Sequence, residues 1–527
     1  MRRNWLLVGI LAVVWGAPLY AGAQKEPLKA GVNGKLTYIG VYSTGSVSET
    51  GGVAKIARYN KDNKRLYLAN GALGSLDIVN AAVLRSRKFI DLPLYKRIDM
   101  NAMGEANSFH YGTLTGIAIS AKHKIIALAV QHRNYFTQGY IVLVDYEGNY
   151  IRHYDAGVQP EMICFTPDEQ YILTADEGEP REGYAGEAVD PPGTVTIVKV
   201  DTHEVRIANF EHFDREAPRS ALVQSGVILT KGTKPSLDFE PEHITVSENS
   251  RTAWVSLPES NAVAVLDIST GIFSSILPLG FKDFAFPQNS VDVLNDGYVI
   301  LDRQNMYGAY MPDGIAVIAA GGKRYLLSAN KGATREWVAG DNAYTDIAAF
   351  EAGEYSVEIL DTSRKEGIAE TDKRYLFGAR SFAIWEVSGD TINLVYDSGN
   401  EFELRTGEYF PENFNAGHTN PRLDDRSAKK GPEPEYVEIL KIKKNLYALI
   451  GLERIGGIMV YNINNPESPV FYDYINTRDF SGLTLERMGD LGPEGICAVE
   501  AGSSPTRRPL LFVANEVSGT VAVYDMK

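Results

Sequence analysis

Short apolar runs rich in β-branched and aromatic residues recur along the whole chain, partly alternating with polar positions and closed by Ser, Asn, Pro or Gly. The clearest group spans 243–279 and reads HITVS, RTAWVSLPES, AVAVLDIST and FSSILPLG. Four short strands joined by tight turns predict one antiparallel propeller blade. Similar groups include RLYLAN with SLDIVN; TGIAIS, KIIALAVQH and YIVLVDYEG; and MICFTP, YILTADEGEP and TVTIVKVD. Counted in this way, about seven groups begin near Val53, Thr115, Glu161, Glu242, Asp313, Glu435 and Glu494. The last (ICAVE, PLLFVANEV, GTVAVYDM) stops after three strands. The run LTYIGVYST at 36–44 supplies the fourth, which pairs the two ends of the domain and removes an exposed edge. The expected fold is therefore all-β, a seven-bladed β-propeller closed by an N-terminal strand, with long loops. A pair of β-sandwiches is the alternative.

The long loops fall at 179–192, 331–373 and 400–434. The first is acidic and rich in Gly and Pro, the second is polar with room for a short helix, and loops of this length in a compact domain are usually functional or disordered. Helical periodicity is otherwise scarce. Ahead of the first strand, Arg2 and Arg3 precede an apolar run of about 11 residues, too short to span a bilayer, and Ala21-Gly22-Ala23 fits a cleavage site. The reading is a signal peptide over 1–23, removed on export, followed by one domain over 24–527 with no transmembrane segment. An uncleaved membrane anchor is the rival reading of the same residues. The expected location is periplasmic or extracellular.

Five of the groups open with a Pro-acid pair: Pro160-Glu161, Pro241-Glu242, Pro312-Asp313, Pro434-Glu435 and Pro493-Glu494. About 15 to 22 positions later stand Glu177, Glu259, Asn330, Glu453 and Glu516. In a blade, the residue that opens the first strand and the residue that closes the second meet at one rim. The first strands surround the axis, so these side chains are expected to form a ring of oxygens at one mouth of the channel. Such carboxylates need cations, Arg or Lys partners, or raised pKa values. An all-oxygen donor set suits Ca²⁺ or Mg²⁺ better than zinc, and no HExxH or C-x2-C motif occurs. The candidate metal ligands are Glu161, Glu177, Glu242, Glu259, Asp313, Glu435, Glu453, Glu494 and Glu516, with Ca²⁺ as the expected ion. The competing reading of each acid is a bond to backbone N–H groups or to a neighbouring Arg.

The 400–434 loop adds Asn415, His418, Asn420, Asp424, Asp425, Arg426, Lys429 and Lys430, and Arg454 and Arg478 follow. Arg presents a planar fork that grips phosphate with two parallel hydrogen bonds. His418, Arg426, Arg454 and Arg478 are therefore candidate substrate-binding residues of a calcium-dependent phosphoesterase, with a salt-bridged loop as the competing reading. Nucleophilic catalysis finds no G-x-S-x-G elbow to rest on.

Charge narrows the partners. With 67 acidic against 52 basic residues the formal net charge is −15, which argues against nucleic acid. Two cysteines, Cys164 and Cys497, each stand three residues after a Pro-acid pair and are expected to be buried free thiols in different blades.

The stretches SLDFEPEHITVS, ESNAVAVLDI, YLLSANKGATREW, FGARSFAIWE, DDRSAKKGPEPE, GLERIGGIMVYNI, LGPEGICAVE and VANEVSGTVAVYDM, in this order, resemble the choice-of-anchor I family. The resemblance implies a propeller of the YVTN or surface-layer type, exported or displayed at the cell surface. Its animal relatives are associated with biomineralisation, which accords with calcium. Family members carry varied C-terminal sorting anchors; the run Asp525-Met526-Lys527 does not read as one, so surface attachment through such an anchor is not expected. No catalytic set is implied. The function expected is a secreted or surface-associated binding protein with an acidic, calcium-binding face.

Overall fold

The computed structural model describes residues 29–527 apart from 86–87, 184–185 and 341. The proposed signal peptide lies outside the described residues.

The chain is all-β, with a few short helices, and its main body is six four-stranded antiparallel sheets and one of five strands. In chain order, the first strands of these sheets are Ala54–Asn60 (sheet 1), Tyr111–Ser120 (sheet 2), Pro160–Phe165 (sheet 3), Ile244–Val246 (sheet 4), Ile315–Ala320 (sheet 5), Pro434–Ile442 (sheet 6) and Pro493–Val499 (sheet 7). Each is followed by the second strand that pairs with it. In sheet 4 the four apolar runs become the strands Ile244–Val246, Thr252–Leu257, Ala262–Asp267 and Ile272–Pro278. The run at 36–44 forms Leu36–Ser43 and pairs antiparallel with Thr520–Met526, so the five-stranded sheet joins both ends of the chain. Ile90–Asp91 adds a short parallel strand outside it.

First strands touch first strands. That of sheet 1 packs on those of sheets 7 and 2, sheet 2 on 3, 3 on 4, 4 on 5, 5 on 6 and 6 on 7. The approach is close enough to exclude a side chain in places. A Cβ on Gly314 would lie 2.8 Å from the carbonyl oxygen of Glu435, and one on Gly116 would lie 2.9 Å from that of Glu161. These glycines follow Asp313 and Thr115, so lack of a side chain lets one first strand lie against the next. Between the sheets, apolar faces interleave: Ile78, Leu128 and Val142 share one buried cluster with Leu449 and Val513.

Proline opens three of the first strands (Pro160, Pro434, Pro493), where its missing N–H costs no ladder bond. The residue after it is then skipped in the register. Pairing jumps from Pro160 to Met162, from Pro434 to Val437 and from Pro493 to Gly495. The same irregularity falls between Ala54 and Ala57 and between Leu114 and Gly116. A bulge leaves its extra residue unpaired and re-aims its side chain.

Two loops differ from expectation. Segment 331–373 forms two hairpins, Glu336–Ala339 with Asn342–Thr345 and Ile347–Ala352 with Tyr355–Leu360, ahead of a short 3-10 helix at Thr362–Arg364. Its Gly340 and Gly353 have positive φ, which suits tight turns between strands. Segment 400–434 begins with a helix, Glu401–Tyr409, that buries Phe402, Glu403 and Thr406. Both cysteines are free; Cys497 is buried, whereas Cys164 is partly exposed.

Candidate functional site

The bulges set the site. The residues they release are Lys55, Thr115, Glu161, Glu435 and Glu494, and Glu242 and Asp313 occupy the corresponding places ahead of sheets 4 and 5. All seven line one narrow axial cavity of about 60 Å³. The five acids that sequence singled out therefore do converge. Sequence missed the other two positions, because sheets 1 and 2 have neither proline nor an acid there. The detectable signal was position: Lys55 and Thr115 stand close to the start of their apolar runs as the acids do.

Glu177, Glu453 and Glu516 each follow the last residue of a second strand, and Glu259 lies two residues beyond one. Their charges reach the ring: Glu177 raises Glu242, Glu453 raises Glu435, and Glu516 raises Glu494. Asn330, in the equivalent place, is fully buried and turns instead to Ser328 and Ser381.

Two lysines enter this oxygen-rich mouth. Lys55 pairs with Glu161, which also accepts a hydrogen bond from Gln131 Nε2 at 3.1 Å. Lys331, the residue after Asn330, lies 2.7 Å from Glu435 Oε2, 3.3 Å from Glu453 Oε2 and 3.4 Å from Asp313 Oδ2. Burial lowers the pKa of both ammonium groups, but the carboxylates around them reverse this and hold both well above the ordinary lysine value. Arg454 adds a third cation, 3.0 Å from Glu453 and 3.1 Å from Glu433. Burial pushes the Glu453 carboxyl up, yet Lys331, Arg454 and His418 hold it well below the usual range. Glu433 behaves alike: Lys430, Arg454 and Arg426 overcome burial and bring it down to about 2.

On the opposite side cations act only at a distance, Arg181 on Glu177 and Arg335 with Lys365 on Glu259. Among the described residues, no basic side chain forms an ion pair with Glu177, Glu242 or Glu259, and Glu259 Oε2 is buried without a hydrogen-bond partner. Burial, with Glu179 and Glu161 close to the first and Glu177 and Asp313 close to the second, raises Glu177 and Glu242 well above the carboxylate range. Burial lifts Glu259 to about 7. Even on the cation-rich side two ammonium groups cannot offset every acid: burial and Glu516 raise Glu494 to about 8 against the pull of Lys55. His243 lines the same cavity; burial and Arg58 push its imidazole down to about 3, and its ring packs T-shaped with Tyr436.

The four residues proposed to hold a phosphate lie in one connected group, but their donors are already engaged. His418 Nδ1 lies 3.3 Å from Glu453 and beside Arg454, so these two border the mouth. Arg426 turns to Glu433, its Nε 3.0 Å from Oε1. Arg478 is buried and donates to the carbonyl oxygens of Gly417, Arg454 and Asn420. Among the described residues, His418, Glu453 and Glu516 are the group whose metal-type donor atoms all lie within 4.8 Å of one another. The Lys331 and Arg454 cations already face Glu453, which weakens that trio as a cation site.

A family model for the choice-of-anchor I domain matches residues 55–466. The chain belongs to the choice-of-anchor I family. Among characterised proteins it is similar to Gigasin-3a of Magallana gigas, 27% identical over 187 residues, covering 33% of this chain and 64% of that protein. It is also similar to the mesenchyme-specific cell surface glycoprotein of Strongylocentrotus purpuratus, 23% identical over 286 residues, 45% of this chain and 36% of that one. The choice-of-anchor I chain thus spans less than two thirds of either relative. Similar solved structures include the Myceliophteria thermophila Cps50 (Swd1) β-propeller domain, with a TM-score of 0.46 and 8% identity, covering 92% of this chain and 100% of that one. Virginiamycin B lyase from Staphylococcus aureus gives a TM-score of 0.44 and 9% identity, covering 94% and 99%. No helix among the described residues is long and apolar enough to cross a membrane.

Proposed function

We propose that this choice-of-anchor I chain is an exported, surface-associated binding protein, a seven-bladed β-propeller closed by its N-terminal strand, whose acidic mouth binds Ca²⁺. The blade count is supported by the seven sheets and by first-strand contacts that return from sheet 7 to sheet 1. The observation that carries the cation reading is the uncompensated side of the mouth. Glu242 stands between Glu161 and Asp313 in the ring, with Glu177 and Glu259 nearby and no ammonium or guanidinium paired to it. Buried like charges of this kind are costly unless a counterion joins them. Glu259 Oε2 offers a buried acceptor without a partner, and every donor is a hard oxygen, which fits calcium. Glu177, Glu242 and Glu259 would hold the ion, with Glu161 beside them.

A phosphoesterase has less support. Two of its four phosphate-holding residues, Arg426 and Arg478, are engaged by Glu433 and by backbone carbonyls. The deciding experiment is Ca²⁺ titration of chelator-treated protein, beside Glu242→Gln. The expected result is a Ca²⁺-dependent rise in melting temperature that Glu242→Gln removes. Equal melting curves with Ca²⁺ and with chelator would sink the reading. Chelator-sensitive turnover of an aryl phosphate would favour the enzyme instead.

A further inference from the structure

Away from the axial mouth, the 400–434 loop meets the irregular segment 284–304 around a second buried group of acids. Asp292, Glu403 and Asp424 are 2%, 2% and 0% exposed. One guanidinium faces them: Arg380 Nη1 lies 2.8 Å from Glu403 Oε1 and donates to the backbone oxygen of Asp292. The nearby Lys282 is matched by Asp397 at 2.9 Å. Three carboxylates against one unmatched cation leave a deficit of two positive charges in a site closed to water.

The loop brackets itself at this place. Asp424 N donates to Phe414 O at 2.7 Å and Arg426 N donates to Asn415 O at 2.8 Å, which sets Asn415 beside Asp424. One oxygen of Asp424 accepts from the backbone N–H groups of Asp296 and Gly297. The other oxygen of Asp424, and the amide oxygen of Asn415, are buried without hydrogen-bond partners. The Asn415 amide nitrogen already donates to Glu403 and Ser427, so its oxygen is the free end. Buried acceptors without donors are rare because each forfeits its hydration. Two together, in a place short of two positive charges, match the needs of one divalent ion. The Asp292 carboxylate accepts the backbone N–H groups of Leu294 at 3.2 Å and Ile300 at 2.8 Å, which fix it within segment 284–304.

We propose that Asp424 and Asn415, with Asp292, form a second Ca²⁺ site that ties the 400–434 loop to segment 284–304, independent of the ion at the axial mouth. The donors are carboxylate and amide oxygens drawn from separate irregular segments, which suits the adaptable coordination of Ca²⁺ over the strict octahedron of Mg²⁺. The test uses the full chain, stripped with EGTA and titrated with Ca²⁺ alone by calorimetry, beside Asp424→Asn and Glu242→Gln. Asp424→Asn is expected to lose one ion per chain, or to bind it at least about tenfold more weakly, since charge count tunes such sites. Glu242→Gln is expected to keep that ion. Unchanged stoichiometry and affinity in Asp424→Asn would overturn the proposal, whatever Glu242→Gln does. Should the substitution disturb folding, amide exchange of the unaltered chain decides: Ca²⁺ must slow exchange in 284–304 and 410–430, and equal exchange with and without Ca²⁺ there overturns the site.

Discussion

The two sides of the mouth use the same residue type and differ in what faces it. On one side Glu435, Glu453 and Asp313 surround Lys331, and Glu161 holds Lys55. On the other, Glu177, Glu242 and Glu259 face more acids and are in no ion pair among the described residues, with Arg181, Arg335 and Lys365 acting only at a distance. The repeat supplies an acid at five of the seven sheets, so the pattern alone predicts acids spread around most of the ring. The cations break that pattern from positions where the repeat carries no acid: Lys55 stands where other sheets place Glu, and Lys331 follows Asn330. Ammonium groups tethered to the chain compensate much of one side, whereas on the proposed reading the other takes its cation from solution. The asymmetry, more than the number of acids, says where a ligand goes.

The largest effect expected comes from removing the tethered cation. Lys331→Met leaves Glu435 and Glu453, 4% and 3% exposed, without their shared partner. Breaking a buried pair from one side costs about 3–5 kcal/mol. Urea unfolding should report a loss of that order for Lys331→Met, and Ca²⁺ should restore part of it by entering the vacated place. A loss below about 1 kcal/mol, on the scale of an exposed pair, would show that the two sides are electrostatically alike and that the comparison is wrong.

A middle-sized effect lies in pH. Glu259 at about 7 and the raised Glu177 and Glu242 stay protonated in the folded chain while the unfolded chain ionises near the ordinary Glu value, about 4.5. The unfolded state then binds fewer protons, so their contribution to stability falls as pH rises from about 4.5 towards 7. Glu433 and Glu453 have the opposite sign: their pKa values are lowered, so their contribution is present above about 4.5 and is lost as pH falls towards 2. Ca²⁺ demands ionised ligands and must expel the protons of the first group. Calorimetry at pH 6.5 in buffers of different ionisation enthalpy should show more than one proton released per Ca²⁺ bound at this site. Binding without proton release would move the ion away from Glu177, Glu242 and Glu259.

How much of this could be read without coordinates follows from the same residues. The strands and their grouping were legible because alternation and turn residues are local signals, as in the four runs of 243–279. Convergence of Glu161, Glu242, Asp313, Glu435 and Glu494 was legible because proline and acid repeat at the start of an inner strand. Lys55 and Lys331 were not, because a lone lysine near an apolar run has no periodic signature and becomes a partner only when two distant sheets meet. The same holds for Arg426 and Arg478. Their planar forks suggested a phosphate grip, yet Glu433 and three carbonyl oxygens, positioned by tertiary folding, take up their donors. The hairpins of 331–373 were hidden by polar surface positions that blur alternation, and helix Glu401–Tyr409 by its few apolar residues.

The smallest effect is expected at His418, and it bears on the comparison because His418, Glu453 and Glu516 are spaced as metal ligands. Distance alone would place a transition metal there, since one imidazole and two carboxylates form a competent donor set. Charge argues otherwise. Glu453 already meets Lys331 at 3.3 Å and Arg454 at 3.0 Å, Arg454 Nη1 lies 2.7 Å from His418 Nδ1, and Glu516 Oε2 accepts the N–H of Gly52 at 2.9 Å. A metal would have to displace a guanidinium from its own ligands. His418→Ala should therefore cost no more than about 1 kcal/mol, the worth of one partly exposed hydrogen bond, and should leave Ca²⁺ stoichiometry and affinity unchanged. Zn²⁺ and Mn²⁺ titrations should likewise be indifferent to it. If His418→Ala instead abolishes binding of any of the three ions, the ligand belongs on the cation-rich side, and Arg454 would have to be a gate that swings aside for it.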